Sequence, residues 1–206
     1  MRDRLIVGGL FALGLAVLGV YALTVTRAPE PSLSASAIVT DGPVLEIDVA
    51  GEAEGTIRIQ LRPDVAPEHV ERVVTLAEDG AYDGVVFHRV IDGFMAQTGD
   101  VQHGREGGDL RRAGTGGSDL PDLPAEFSEL SFDRGVMGMA RSADPDSANS
   151  QFFLMFAPAQ HLNRQYTALG QIIDGIEVLD AIKRGDGPNG AVTSDPDRME
   201  AVRVVD

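Results

Sequence analysis

The chain has 206 residues, no cysteine, and 32 acidic against 17 basic side chains, for a net charge of −15. That length suits one ordinary domain plus an appendage, and the lack of thiols excludes a disulfide framework or a cysteine-based zinc site. Arg2, Arg4 and Arg27 against Asp3 and Glu30 leave residues 1–40 at +1, so the remainder carries −16. A body this acidic excludes nucleic acid as a partner, because such binding rests on Lys and Arg neutralising phosphates.

In chain order, Leu5 to Val25 is an uncharged run of 21 residues behind Arg2 and Arg4. It exceeds a signal-peptide core and matches the ~20 residues that span a bilayer. The spacing predicts one N-terminal transmembrane helix over residues 1–26, an anchor or uncleaved signal, with the body across the membrane by the positive-inside bias. Cleavage near Ala35-Ser36-Ala37 is the alternative. Residues 27–42, rich in Pro, Ser and Ala, read as a flexible linker. The folded body is expected over residues 43–206.

Within it, Val44 to Val49 and Thr56 to Leu61 alternate apolar and polar residues as half-buried strands do. A helix follows: Pro67 suits its first position, Val70, Val73, Val74 and Ala77 share one face, and Gly80 can end it. Val85 to Ile91 and Phe94 to Val101 read as two strands joined at the Asp92-Gly93 turn. Gln102 to Pro124 is a polar, glycine-rich loop without the Gly-Lys-Ser/Thr of a phosphate loop. Val136 to Ala140, Phe152 to Phe156, Ala168 to Ile173 and Met199 to Val205 read as further strands, and Ile176, Leu179 and Ile182 mark a second helix. Eight strands and two helices without regular alternation exclude a doubly wound α/β fold. They predict a mainly β protein, a closed eight-stranded antiparallel barrel capped by two α-helices.

The stretch Phe87 to Asp100 concentrates the chemistry: a guanidinium (Arg89) and a carboxamide (Gln97) beside the apolar Phe94 and Met95. A fixed cation next to a small apolar pocket suits binding a neutral, partly apolar group and polarising it. The run resembles the F-H-R-x-[IV]-x-G-F-M-x-Q-x-G-D signature of the cyclophilins, the peptidyl-prolyl cis-trans isomerases. Gly135 to Arg141, Asn149 to Phe153, and Leu162-Asn163 with Tyr166 to Gly170 resemble three further segments of that family, in order. The resemblance covers about residue 43 to the C-terminus and implies the same capped barrel.

It also implies roles. Arg89 and Gln97 would be catalytic, Arg89 donating to the prolyl nitrogen as the amide twists and Gln97 holding the substrate carbonyl or positioning Arg89. Phe94, Met95, Phe153 and Leu162 would hold the proline ring; from the sequence alone each reads better as core, and only the resemblance assigns it to the site. Gln151, Ala140, Arg141, His161 and Tyr166 would line the peptide site. His161 stands where the family often has a tryptophan, which disfavours tight cyclosporin binding; Tyr166 stands where it often has a histidine. An insertion is expected near Arg105 to Ala113. His88, on the opposite strand face from Arg89, reads as a structural histidine bonded inside the barrel. Scattered histidines imply no metal, and the family chemistry needs no cofactor.

The resemblance thus implies a monomeric bacterial isomerase acting on proline-containing polypeptide chains. It would be anchored in the inner membrane with its catalytic body in the periplasm, or secreted there after cleavage. A proline-binding module or holdase without catalysis is the other class compatible with the pocket.

Overall fold

In the computed structural model, which describes residues 42–205, the chain begins with a hairpin. Strands β1 (Val44–Ala50) and β2 (Gly55–Leu61) bury Leu45, Ile47, Ile57, Ile59 and Leu61 and turn Glu46, Asp48, Arg58 and Gln60 outward. Helix α1 (Pro67–Glu78) follows, with Pro67 at its start and Val70, Val73, Leu76 and Ala77 buried. Ala66 offers no capping side chain. Glu126 takes that role from a distant loop, accepting the N–H groups of Glu68 and His69 and the ring Nδ1 of His69 at 2.6 Å. This satisfies donors that a helix start otherwise leaves open.

The remaining elements are β3 (Val85–Val86), β4 (Arg89–Ile91), β5 (Met95–Thr98), β6 (Val136–Met139), β7 (Phe152–Met155), β8 (Ala168–Asp174), the short helix α2 (Ile176–Ala181) and β9 (Arg198–Val205). All nine strands join one antiparallel sheet in the order β3-β9-β1-β2-β8-β6-β7-β5-β4. Helix α1 packs against β9 and α2 against β2.

The expected closed eight-stranded barrel is therefore corrected to an open, nine-stranded half-barrel. The run expected as a single strand, Val85 to Ile91, is broken at Phe87-His88. Its first half pairs with β9 at one end of the sheet and its second half with β5 at the other. Among the described residues β3 and β4 do not pair with each other, because backbone from loops occupies their outer edges. The Gly185 N–H donates to the Val90 carbonyl at 2.9 Å, and the Val192 N–H to that of His88 at 3.0 Å. At the other edge the Val86 N–H donates to the Gly104 carbonyl, and Glu106 N–H to that of Gly84. Covering edges with loops protects them from pairing with other chains, as closure would. The expected transmembrane helix over residues 1–26, and the linker up to residue 41, lie outside the described residues; within those residues no helix is long and apolar enough to cross a membrane.

Strands β6 and β7 are buried on both faces, and they separate two apolar clusters. The larger fills the half-barrel and includes Phe87, Ala96, Met137, Phe152 and Leu154. The smaller holds Met95, Phe132, Val136, Phe153, Met155 and Leu162, with Phe94 and Tyr166 packed on it. Gly138 sits between them, where a Cβ would come 2.5 Å from Phe132 and 2.6 Å from Phe153, so only glycine admits both rings.

The long loop after β5 is anchored by Asp100, which is wholly buried. Its Oδ1 accepts N–H bonds from Gln102 and His103, and its Oδ2 from Gly114 and Gly116, at 2.7–3.1 Å. Burial raises the Asp100 pKa, but these four donors outweigh it and hold the carboxyl below its usual value. Asp100→Asn presents an NH₂ group to two of the donors. We expect a loss of about 2 kcal/mol in urea unfolding, since a buried, unmatched donor costs ~1–3 kcal/mol. Unchanged stability would mean that the loop holds itself without this carboxylate. Arg105, in the expected insertion, donates to the carbonyls of Ala81, Asp83 and Val101, fixing the insertion's start against the loop that precedes β3.

Candidate active site

Strand alternation and register place the central residues in a row. Arg89 of β4 is opposite Gln97 of β5, which is opposite Phe153 of β7; Ile91, Met95 and Met155 form the next row on the same face. Val90, Ala96 and Leu154 point to the other face, into the large core. A cleft of about 440 Å³ opens on the first face, lined by Arg89, Phe94, Met95, Gln97, Ala140, Arg141, Phe153, His161, Leu162, Gln165 and Tyr166. Of the residues proposed from sequence, only Gln151 lies outside this lining. It is adjacent, lining a second cleft of about 420 Å³ that shares Gln97, Ala140 and Arg141 with the first.

The floor is aromatic and apolar. Phe153 meets Tyr166 edge-on with ring centroids 5.9 Å apart, and stacks on Phe132 at 5.8 Å. At the rim His161 stacks on Phe94 at 5.8 Å and so presents an aromatic face to the cleft. Arg141 lies 4.3 Å over the Tyr166 ring and donates to the carbonyls of Ser142 and Gln165, which fixes one wall.

Along the opposite wall runs a chain of hydrogen bonds. Arg89 Nη1 donates to Gln97 Oε1 at 3.1 Å, Gln97 Nε2 to Gln151 Oε1 at 3.0 Å, and Gln151 Nε2 to the Gly116 carbonyl at 2.8 Å. Gly116 is itself held by Asp100. Each carboxamide is thereby fixed in one orientation. Arg89 also donates through Nε and Nη2 to Asn189. It joins none of the ion pairs among the described residues, although the chain is strongly acidic. Burial lowers the Arg89 pKa and Tyr166 opposes the shift, which leaves a guanidinium charged near neutrality.

His88 is buried as expected, and neither ring nitrogen makes a hydrogen bond of good geometry among the described residues, leaving only a weak approach to the Val86 backbone. Burial pushes its pKa down to about 4, with the Asp100 charge pulling it back up. A neutral imidazole turned away from the cleft is not placed for proton transfer. Thr98 is also buried and donates to the Val86 carbonyl at 2.9 Å, tying the end of β5 to β3. Among the described residues, no three His, Asp or Glu side chains come together to hold a metal. Sequence reasoning missed Gln165 and Asn189. Both come from loops outside the strand pattern, and only the Pro-Asn-Gly turn at 188–190 marks Asn189 as unusual backbone.

A cleft with an aromatic floor, a fixed cation outside any ion pair and oriented carboxamides has the shape and polarity to suit a small apolar ring beside a polar amide. The family pattern described as cyclophilin type peptidyl-prolyl cis-trans isomerase matches residues 44–204. A Brucella suis protein named "Probable peptidyl-prolyl cis-trans isomerase" is 54% identical over 149 residues, covering 71% of this chain and 76% of that one. Among solved structures, the cyclophilin AquaCyp293 from Hirschia baltica superposes with a TM-score of 0.62 at 25% identity, over 77% of this chain and 72% of its own. A Cryptosporidium parvum cyclophilin-type isomerase, solved in the presence of the dipeptide Ala-Pro, has the same fold with a TM-score of 0.66 at 24% identity, over 79% and 99%. The chain belongs to the cyclophilin-type peptidyl-prolyl cis-trans isomerase family and is an enzyme of that class.

Proposed function

We propose that the protein accelerates rotation about X–Pro bonds in exported polypeptides as they fold, with Arg89 polarising the prolyl nitrogen. Rotation must weaken an amide C–N bond whose barrier is ~18–20 kcal/mol, and an unaided X–Pro bond takes tens to hundreds of seconds. The prolyl lone pair becomes available only as the amide twists. A donor aimed at it therefore stabilises the transition state and not the planar ground state. The observation that carries this reading is the state of Arg89. It is held by neutral groups at the cleft, with three of its five N–H groups occupied and one left on each terminal nitrogen. The apolar floor of Phe94, Met95, Phe153 and Leu162 would take the proline ring, and the Gln97 and Gln151 carboxamides would meet the flanking peptide. The test is acceleration of cis-to-trans exchange in X–Pro peptides by the purified protein; a folded protein that binds such peptides without accelerating exchange would be a holdase instead.

The export part of this reading rests on the apolar run Leu5 to Val25 and the basic residues ahead of it. Cell fractionation with an N-terminal mass checks it. We expect the protein outside the cytoplasm, membrane-bound if the run is retained and soluble if it is removed near Ala37. An intact chain in the cytoplasm would overturn it.

A further inference from the structure

Two of the three hydrogen bonds that orient Arg89 come from one residue, Asn189, a hundred positions further along the chain. Arg89 Nε donates to the Asn189 backbone carbonyl at 3.0 Å, and Nη2 to its side-chain Oδ1 at 3.1 Å. Asn189 stands in the left-handed region (φ 57°, ψ 28°), a conformation that Asn, Asp and Gly tolerate best. The turn carrying it is fixed by other atoms. The Gly185 N–H donates to the Val90 carbonyl and the Val192 N–H to that of His88, Gly187 N–H donates to the Ala191 carbonyl, and Arg89 and Ala191 form a β-bridge. The Asn189 side chain is exposed and adds nothing to this scaffold except its contact with Arg89.

We propose that Asn189 is a positioning residue for the isomerase reaction. It holds the Arg89 guanidinium toward the cleft through uncharged acceptors, so that the cation is oriented without being neutralised. The proposal rests on the reading of Arg89 as the donor to the prolyl nitrogen. A carboxylate at this position would bind the guanidinium more tightly, but it would place a negative charge against the group that must stabilise electron density on the substrate. In a chain with 32 acidic residues, both side chains that accept hydrogen bonds from Arg89 are carboxamides.

The test compares Asn189→Gly and Asn189→Asp, both compatible with the left-handed backbone, in the wild type and in an Arg89→Ala background. For Asn189→Gly we expect kcat to fall about tenfold with KM little changed, as for a misaligned catalytic group. The Arg89 Nε–H resonance in a ¹⁵N spectrum should move and exchange faster. Asn189→Asp should keep that resonance protected and still lose kcat by a similar factor. Neither change should lower the residual activity of Arg89→Ala, whereas a merely structural role would subtract from both backgrounds. If Arg89→Ala is inactive while folded Asn189→Gly retains kcat within about twofold, or if Asn189→Gly costs as much in the Arg89→Ala background as in the wild type, the proposal fails and the donor reading stands. An unchanged kcat in Asn189→Asp overturns the need for neutral acceptors. If Arg89→Ala itself keeps full activity, the donor reading fails and takes this proposal with it.

Discussion

Arg89→Ala is expected to lower kcat/KM for X–Pro exchange by about a hundred- to a thousandfold, the loss typical when a preorganised donor to a transition state is removed. The loss should fall on kcat. The ring pocket formed by Phe94, Met95, Phe153 and Leu162 does not depend on the guanidinium, so ground-state binding should persist. Arg89 is half-buried at the end of the sheet and joins no ion pair among the described residues, so the variant should keep the wild-type circular dichroism and nearly its stability. Arg89→Lys separates charge from geometry. An ammonium keeps the charge but has only three N–H groups, so replacing all three bonds of Arg89 to Gln97 and Asn189 would leave none for the substrate, and it lacks the rigid fork that aims the guanidinium; its activity should lie between alanine and wild type. Exchange spectroscopy on a short X–Pro peptide, with enzyme far below peptide concentration, measures all three. A folded Arg89→Ala with undiminished kcat would sink the donor mechanism and point to desolvation of the amide in the apolar cleft.

How far the sequence revealed this site depends on the kind of signal. The alternation of β1 and β2 is legible because every second residue is buried, and period-two spacing likewise puts Arg89, Ile91, Met95 and Gln97 on one face. Strand partners are another matter. Val85 to Ile91 carries no Gly or Pro, so nothing local marks a break within it. Whether it forms one strand or two is decided by Asp197, whose carbonyl takes the Phe87 N–H, and by Val192, whose N–H takes the His88 carbonyl. Those contacts span a hundred residues, so neither the open sheet nor its ninth strand could be read from local pattern. The same distance hid Asn189 and Gln165. The Phe87 to Asp100 stretch carries Arg89, Phe94, Met95 and Gln97 of the cleft on one hairpin, while Phe153 comes from β7 and the remaining lining residues from segments whose placement depends on the finished fold.

His88 should make the protein lose about 3 kcal/mol of stability as the pH falls from about 6.5 to about 4, the expected linkage for one group whose native pKa is about 4. Burial disfavours its charged form in the native state, and in the unfolded chain the same imidazole protonates near its ordinary 6.5. Between those values the unfolded state binds the extra proton, so stability is complete above the upper limit, declines through the window, and levels off below it. Asp100 acts in a different range. Its carboxyl is held below 3.8, so its contribution persists until the pH drops beneath that value. The control is His88→Leu. Because neither ring nitrogen makes a hydrogen bond of good geometry among the described residues, leucine leaves no orphaned group behind, and its bulk is close enough that stability near pH 7 should change by less than about 1.5 kcal/mol. Urea unfolding at about pH 7 and about pH 4.5 should then show the wild type falling well below its own neutral value while His88→Leu changes much less. The difference between the two isolates His88 from every other titrating group. Parallel losses in both proteins would mean that His88 takes up its proton in the folded state. A neutral His88 also bears on Arg89 beside it. An imidazolium there would set a second cation against the one that must act on the substrate, so burial that keeps His88 uncharged leaves the guanidinium as the positive group on that strand. Bond rotation transfers no proton, so within the range where the protein stays folded its kcat should be nearly flat with pH.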